Sequence, residues 1–381
     1  MRNRVQLLNS KNQYANDREF MARAIRLAER GAYTTHPNPR VGCVIVKNNK
    51  ILGEGWHIEA GKEHAEINAL NDIENTDEIK GATVYVSLEP CCHQGKTGPC
   101  STALVKAGVQ KVIVAMLDPN LLMSGQGIQE LKDNGIEVEV GVLQAQAEQL
   151  NPGYIKRMKT GRPFIRNKMA MSLDGRTALA SGESKWITSE DARHDVHKYR
   201  ARSDCIVTGV GTILTDDPSM TVRMDGILQQ PLRVIIDTHL STPLDAKILA
   251  QQGKTIILTC RNDDGDVKRF AKHGIEVINI TQKGSNLDLD AVVDYLGSLD
   301  INEVLLEAGA TLSGAMLQAG LVDELVVYMA PILLGNKAKG LFGLSNLESM
   351  NQKIKLNIIE QRAIGIDWRL RATVSVKETK D

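Results

Sequence analysis

Residues 88–100 read "LEPCCHQGKTGPC", and with "HAE" at 64–66 they decide how the first half of this 381-residue chain is read. The longer stretch holds Cys91, Cys92 and Cys100, three of the six cysteines in the chain. So tight a cluster in so long a chain suits a metal better than a disulfide framework. His64 stands before the helical pattern "INAL", and Cys91 follows the strand pattern "ATVYVSLE". His64, Cys91 and Cys100 then form the ligand set of a catalytic zinc. Two thiolates and one imidazole leave the fourth tetrahedral position to water, whose pKa falls from about 15.7 towards about 7. Glu66, two residues past the histidine, is placed to carry that water's proton to a leaving amine as general acid/base. The pattern matches the H-x-E…P-C-x-x-C signature of zinc deaminases only in part, since eight residues separate Cys91 from Cys100. Two alternatives stay open from the residues alone. Cys92 can take the place of Cys91, or both thiols can join in a closed structural site that leaves Glu66 without a task.

Outward from this core the pattern is α/β. Phe20, Met21, Ala24, Ile25 and Ala28 share one helical face, so the fold proper starts near Asp17, after a polar extension 1–16. "VGCVIVK", the turn "KNNK" and "ILGEGWH" read as a hairpin. Helix and strand patterns then alternate through "AEINALNDI", "ATVYVS", "STALVKAG", "KVIVAML", "GIQELKDNG" and "IEVEVG", which predicts helices packed on a central sheet. Pro, Gly and basic residues interrupt the pattern in "QLNPGYIKRMKTGRPF" (149–164), and the domain boundary falls near residue 160. Two domains, 17–160 and 161–381, follow. Beyond the boundary "FIRNKMA", "CIVTGV", "LRVIID", "TIILTC", "VLLEAG" and "ELVVYMA" form a second β-rich series. "TSED" at 188–191 reads as a capping box, with Thr188 as cap and Asp191 reaching back, opening a helix that carries Arg193, His194 and Arg200.

Composition narrows the function. Lys plus Arg equals Asp plus Glu at 46 each and aromatics are 4%. A groove for single-stranded nucleic acid wants basic charge and stacking platforms, so a deaminase of RNA or DNA bases is disfavoured. No run of about 18 apolar residues occurs and the first residues lack a signal-like apolar stretch, so no membrane contact and a cytoplasmic location are expected. In the second half no G-x-G-x-x-G fingerprint appears. "TGVGTILTDDP" and "EAGATLSGAML" do have the form of strand, Gly-rich turn and helix, which brings backbone N–H groups close to a phosphate.

The ordered motifs "THPNPRVGCVIVK", "GEGWH", "AGKEHAE", "SLEPCCHQGKTGPC", "KMAMSLDGRTA", "GESKWITS", "GVGTILTDDPSMTVR" and "EAGATLSGAMLQAGLVDEL" resemble the family of bifunctional riboflavin-biosynthesis deaminase/reductases from about residue 17 to 376. The resemblance implies a cytidine-deaminase-like three-layer domain followed by a dihydrofolate-reductase-like domain. The first deaminates 2,5-diamino-6-ribosylamino-4(3H)-pyrimidinone 5′-phosphate, and the second reduces the ribosyl chain of the product to ribityl with NADPH. It also implies that His64, Cys91 and Cys100 bind one zinc, that Glu66 shuttles protons and that Cys92 is a bystander. Asn38, His57, His93 and Lys96 are then the deaminase's substrate contacts. The residue chemistry agrees: an amide that donates and accepts suits a heterocycle edge, and a lysine suits a phosphate. Gly98 stands where the family usually has a second proline. In the second domain the resemblance implies Ala170, Trp186, Thr212, Asp216, Thr238, Gly309, Ala310, Thr311, Leu312, Ser313, Gly314 and Ala315 as cofactor positions. Ser184, Arg200, Met220, Arg223 and Glu307 are implied as substrate neighbours. The guanidinium groups of Arg200 and Arg223 are expected to grip a ribose phosphate. Lys168 and Asp174 are candidates for polar roles near the sugar, although Asp174 in "LDGR" also suits a turn. The expected partners are small phosphorylated pyrimidines and further copies of the chain in a homo-oligomer.

Overall fold

β1 (Gly42–Lys47) and β2 (Lys50–Trp56) pair through Asn48 and Asn49, whose φ angles of 51° and 63° supply the left-handed pair that a two-residue hairpin turn requires. This is the expected hairpin, seen in a computed structural model that describes residues 16–94, 98–227, 229–261 and 264–375. The candidate contact Lys96 lies outside the described residues. Contacts divide the chain into two compact units, the first ending at Thr160 and the second starting at Gly161.

In the first unit α1 (16–28) precedes the hairpin. After it come α2 (Ala65–Asn71), β3 (Thr83–Val86), α3 (Cys100–Ala107), β4 (Lys111–Val114), α4 (Gln126–Asp133), β5 (Glu137–Val140), α5 (Gln144–Leu150) and α6 (Pro152–Thr160). The sheet runs β2-β1-β3-β4-β5, antiparallel through β3 and parallel beyond. Met21, Ala24 and Ala28 of α1 pack on one face with Leu150, while Ala65 and Ala69 of α2, Leu104 and Leu131 pack on the other. Gly55 lets α2 lie directly on the hairpin, because a Cβ there would stand 2.3 Å from the Ala69 nitrogen. The interruption read at 149–164 is in fact a helix. Pro152 occupies its first position, where a missing N–H costs nothing, so the proline starts α6 instead of breaking it.

The second unit comprises β6 (Phe164–Ser172), β7 (Arg176–Ala178), α7 (Glu190–Arg202), β8 (Cys205–Gly209), α8 (Val210–Asp216), β9 (Leu232–Ile236), β10 (Thr255–Thr259), α9 (Asp264–Ala271) and β11 (Glu276–Asn279). It continues through β12 (Gln282–Lys283), β13 (Asn286–Leu287), α10 (Leu289–Ser298), β14 (Glu303–Leu306), α11 (Ala310–Gln318), β15 (Glu324–Ala330), β16 (Lys339–Gly340), β17 (Leu356–Ile364) and β18 (Asp367–Val374). Its main sheet has nine strands in the order β11-β10-β9-β8-β14-β6-β15-β18-β17. The first seven are mutually parallel and the β17–β18 hairpin closes one edge antiparallel. All six β-rich runs read from sequence are strands here. The closing hairpin was not among them, because β17 is exposed along most of both faces and its apolar residues do not alternate cleanly.

The cap of α7 is Ser189 and not Thr188: its hydroxyl accepts from the Ala192 N–H. Asp367 of β18 takes the return role expected of Asp191, accepting from both the Ser189 N–H and its hydroxyl at 2.8 and 2.7 Å. α7 is further fixed by buried Asp195, which accepts from the Tyr328 hydroxyl at 2.7 Å and from Arg369. Among the described residues no helix is long and apolar enough to cross a membrane.

Candidate active sites

In the first unit two helix starts converge. His64 is the residue before α2 and Cys100 is the first residue of α3, while Cys91 sits on the loop leaving β3. The His64 Nδ1 lies 3.4 Å from the Sγ of Cys91 and 3.4 Å from that of Cys100, and all three candidate ligand atoms fall within 4.8 Å of one another. Zinc bonds of about 2.3 Å to sulfur and about 2.05 Å to nitrogen, at tetrahedral angles, put neighbouring ligand atoms about 3.5 Å apart. The donor set therefore fits zinc in both chemistry and spacing. Cys92 is turned away, with its thiol towards the Gln126 Oε1 at 3.8 Å.

The electrostatics favour a thiolate. A hydrogen bond from the Cys100 thiol, with His64 adding to it, lowers Cys91 to about 4, and the same bond raises Cys100. Helix amino ends add a favourable field for such an anion. Glu66, on the first turn of α2, is buried, and burial together with the nearby Cys91 pushes its carboxyl up to about 7. A carboxyl poised near neutrality is able both to take and to give a proton.

Asn38 and His57 act together. The His57 Nδ1 donates to the Glu63 carbonyl at 3.0 Å, which leaves Nε2 to accept from the Asn38 amide at 3.1 Å. His57 is itself buried, and burial lowers its pKa, so both ring nitrogens are committed and the neutral ring orients Asn38. His93 is exposed on the metal loop.

In the second unit the strand order reverses between β8 and β14. α8 leaves β8 towards β9, whereas α11 leaves β14 towards β15, and the divergence opens a crevice at the carboxyl ends of the strands. Ligands of open parallel sheets bind at such switch points. The crevice has a volume of about 1140 Å³. Single-ligand pockets run about 300–1,000 Å³, so a cofactor and a substrate have room together. α11 opens into it at Gly309, whose own N–H donates to the Thr212 Oγ1 at 3.2 Å; among the described residues no side chain caps the N–H groups that follow, and a Cβ added to Gly211 would meet nothing within 4 Å. That bare cradle of backbone donors fits a dinucleotide's phosphates.

Every reductase residue expected from sequence lines this crevice except Asp174, Ser313 and Gly314. Asp174 accepts from the Leu334 and Gly335 N–H groups at 3.1 and 2.8 Å and from the Ser172 hydroxyl, so it builds the turn after β6. Ser313 lies on the buried side of α11 and donates to the Asn167 Oδ1 at 3.3 Å. Gly314 faces the chain at Gly343, whose carbonyl oxygen would stand 2.4 Å from an added Cβ.

The two arginines differ. Arg200 is committed to Glu307 through Nε and Nη2 at 2.6 and 3.0 Å, and to the Thr221 carbonyl through Nη1 at 2.8 Å. Lys168 stands 3.5 Å from the same carboxylate. Burial alone would raise Glu307, but Arg200 and Lys168 outweigh it and hold the carboxyl at about 2. Arg223 lines the crevice, exposed, and its guanidinium has no hydrogen-bond or ion-pair partner among the described residues. Sequence reading gave no site role to Arg193, whose guanidinium lies 4.5 Å over the Trp186 ring, nor to the lining residues Asn286, Leu287 and Leu289, which no motif marks.

Comparison with known proteins agrees with both halves. Residues 14–116 match the model of the cytidine and deoxycytidylate deaminase zinc-binding region, and residues 163–370 match that of the RibD C-terminal domain. The chain is 46% identical over 363 residues to the riboflavin biosynthesis protein RibD of Escherichia coli K12, covering 92% of this chain and 97% of the relative. The solved Acinetobacter baumannii RibD superposes with a TM-score of 0.88 at 44% identity, over 95% of this chain and 100% of that one. A Thermotoga maritima protein, solved as a diaminohydroxyphosphoribosylaminopyrimidine deaminase/5-amino-6-(5-phosphoribosylamino)uracil reductase, gives 0.84 at 29% identity with the same coverage. A deaminase zinc region continuous with this reductase domain, at such identity over nearly the full length, makes the chain a member of the RibD family, the bifunctional enzymes of riboflavin biosynthesis that join a zinc-dependent deaminase to an NADPH-dependent reductase.

Proposed function

We propose that residues 17–160 hydrolytically deaminate 2,5-diamino-6-ribosylamino-4(3H)-pyrimidinone 5′-phosphate. Residues 161–381 then reduce the ribosyl side chain, giving 5-amino-6-ribitylamino-uracil 5′-phosphate. The observation that carries this reading is the pairing of the His64, Cys91 and Cys100 cluster with a buried carboxyl, Glu66, held near neutrality. A structural metal site has no use for such a group.

His64, Cys91 and Cys100 would hold zinc, which when bound supplies a water acidic enough to react at neutral pH. Glu66 takes a proton from the attacking water and passes it to the departing amine nitrogen. Asn38, with its amide nitrogen spent on His57, presents Oδ1 to a donor on the pyrimidine edge. His93 and Lys96 meet the ribose phosphate.

In the crevice Thr212, Asp216, Thr238, Ala170, Trp186 and the start of α11 would hold NADPH, which when bound supplies the hydride. The chain's task is to align it with the sugar carbon. Arg223, whose guanidinium has no partner among the described residues, grips the substrate phosphate, and Arg200 keeps Glu307 ionised and oriented beside Lys168. Ser184 and Met220 complete the substrate wall.

The exposed residues Ile358, Ile359, Ile366 and Trp368 on the β17–β18 edge support the homo-oligomer, since an open apolar edge strand invites pairing. A cytoplasmic location fits six cysteines that form no disulfide among the described residues. The deciding experiment is a coupled assay on the diaminopyrimidine phosphate with zinc quantified. Chelation is expected to abolish ammonia release and to spare NADPH oxidation by the separately supplied deaminated substrate. Retention of ammonia release by fully zinc-depleted enzyme would sink the proposal.

A further inference from the structure

We infer that His197 is a positioning residue for the reduction: it holds the turn that presents Arg223 and thereby sets the enzyme's affinity for its phosphorylated substrate. The inference rests on the reading of Arg223 as the cation facing that substrate.

The segment Met220–Arg223 has no regular secondary structure, yet Met220, Thr221 and Arg223 all line the crevice. Met220 adopts φ 50°, in the left-handed region. Such a conformation persists only where the surroundings over-determine it. Here side chains do so. Arg200 donates to the Thr221 carbonyl at 2.8 Å. The Gln230 amide brackets Val222, accepting from its N–H at 2.7 Å and donating to its carbonyl at 3.0 Å. The His197 Nδ1 accepts from the Arg223 N–H at 3.2 Å.

His197 and Arg200 lie three residues apart on α7, one above the other on the same face, so one helix grips the turn at two points. α7 is itself anchored through Asp195, Tyr328, Arg369 and Asp367, which makes it a rigid frame. The bond to Arg223 requires an unprotonated Nδ1. His197 is buried, and the charged or titratable groups facing it are Arg200, Arg223, His194 and Glu307. Burial and the two guanidinium groups outweigh Glu307, so the ring stays a neutral acceptor at physiological pH. His197 is not itself among the residues that line the crevice, and its contact with that lining is the bond to the Arg223 backbone, so its effect passes through the position of Arg223.

The test uses the full chain with three substitutions at His197. Asparagine places its amide oxygen near the position of Nδ1, glutamine places it near Nε2, and phenylalanine removes it. Dissociation constants of the deaminated substrate are measured by calorimetry without cofactor, NADPH affinity by fluorescence, and both turnover reactions alongside. H197F and H197Q are expected to weaken substrate binding and raise its KM about 10-fold, the size of one lost hydrogen bond. Reductase kcat, NADPH affinity and ammonia release stay unchanged, and H197N stays within about 2-fold of the parent on the same scale. Equal behaviour of H197N and H197Q overturns the inference, as does an equal loss of NADPH affinity; this pair decides even where H197F does not fold. R223M separates the underlying reading. If it leaves substrate affinity intact, Arg223 is misassigned; if it weakens binding while H197Q does not, His197 is.

Discussion

In the deaminase unit the chemistry-bearing atoms come from two short stretches at the starts of two helices, and three of them lie within 4.8 Å of one another. In the reductase unit the crevice draws on residues from Lys168 to Lys339, and within it Lys168, Arg200 and Glu307 hold each other. The difference follows from what each reaction demands. Hydrolysis needs one proton carrier at one distance from one metal, so a few residues carry nearly all of the effect. Hydride transfer brings its own reagent, and the protein supplies alignment spread over many contacts. Single substitutions should therefore be all-or-none in the first site and graded in the second.

The sharpest way to break this contrast is Glu66→Gln. Same-shaped but unable to carry a proton, it should lower ammonia release on the order of 10²–10⁴-fold. Zinc content and NADPH oxidation with the deaminated substrate should be unchanged. A parallel fall in both activities would mean that the two sites are not independent.

Glu307→Gln probes the graded site. It leaves Arg200 and Lys168 facing one another without their buried counter-charge, and breaking such a pair costs about 3–5 kcal/mol. Reductase kcat/KM and the denaturant midpoint of that unit should fall while ammonia release persists. The pH dependence has a definite sign. The folded carboxyl sits at about 2, below the unfolded value of about 4.3. Its contribution is complete above the unfolded value and is lost as pH falls towards the folded one. The stability gap between parent and variant should thus be widest above pH 5 and narrow on acidification, as read from denaturant titrations across that range. A gap that widens in acid would rule out the ion-pair account.

The same contrast governs what the sequence discloses. His64, Glu66, Cys91 and Cys100 are legible because metal chemistry dictates residue type and spacing together, and the hairpin is legible because Asn48-Asn49 dictates a turn. The β-rich runs from Phe164 onward announce strands, but nothing in them announces that the order reverses between β8 and β14, which alone creates the crevice. Pro152 misled because a proline at a helix start and one in a linker look alike until the N–H tally is known. Asp191 yielded to Asp367 because a partner 178 residues beyond Ser189 leaves no local trace. Ser313 and Gly314 show the limit of motif transfer: within one stretch of α11, Ala310, Thr311, Leu312 and Ala315 line the crevice while Ser313 and Gly314 do not.

The smallest expected effect sharpens the comparison from the other side. Cys92 adjoins Cys91, yet its sulfur points towards Gln126 at 3.8 Å, a weak contact outside the cluster. If the compact site owes its all-or-none character to three atoms and not to a pool of thiols, Cys92→Ser should leave zinc stoichiometry, ammonia release and NADPH oxidation intact, with stability shifted by no more than about 0.5 kcal/mol. Cys91→Ser, one residue away, should lose the metal. Zinc quantified in the two purified variants distinguishes them directly, and loss of metal from Cys92→Ser would return Cys92 to the ligand set and make the site a closed one.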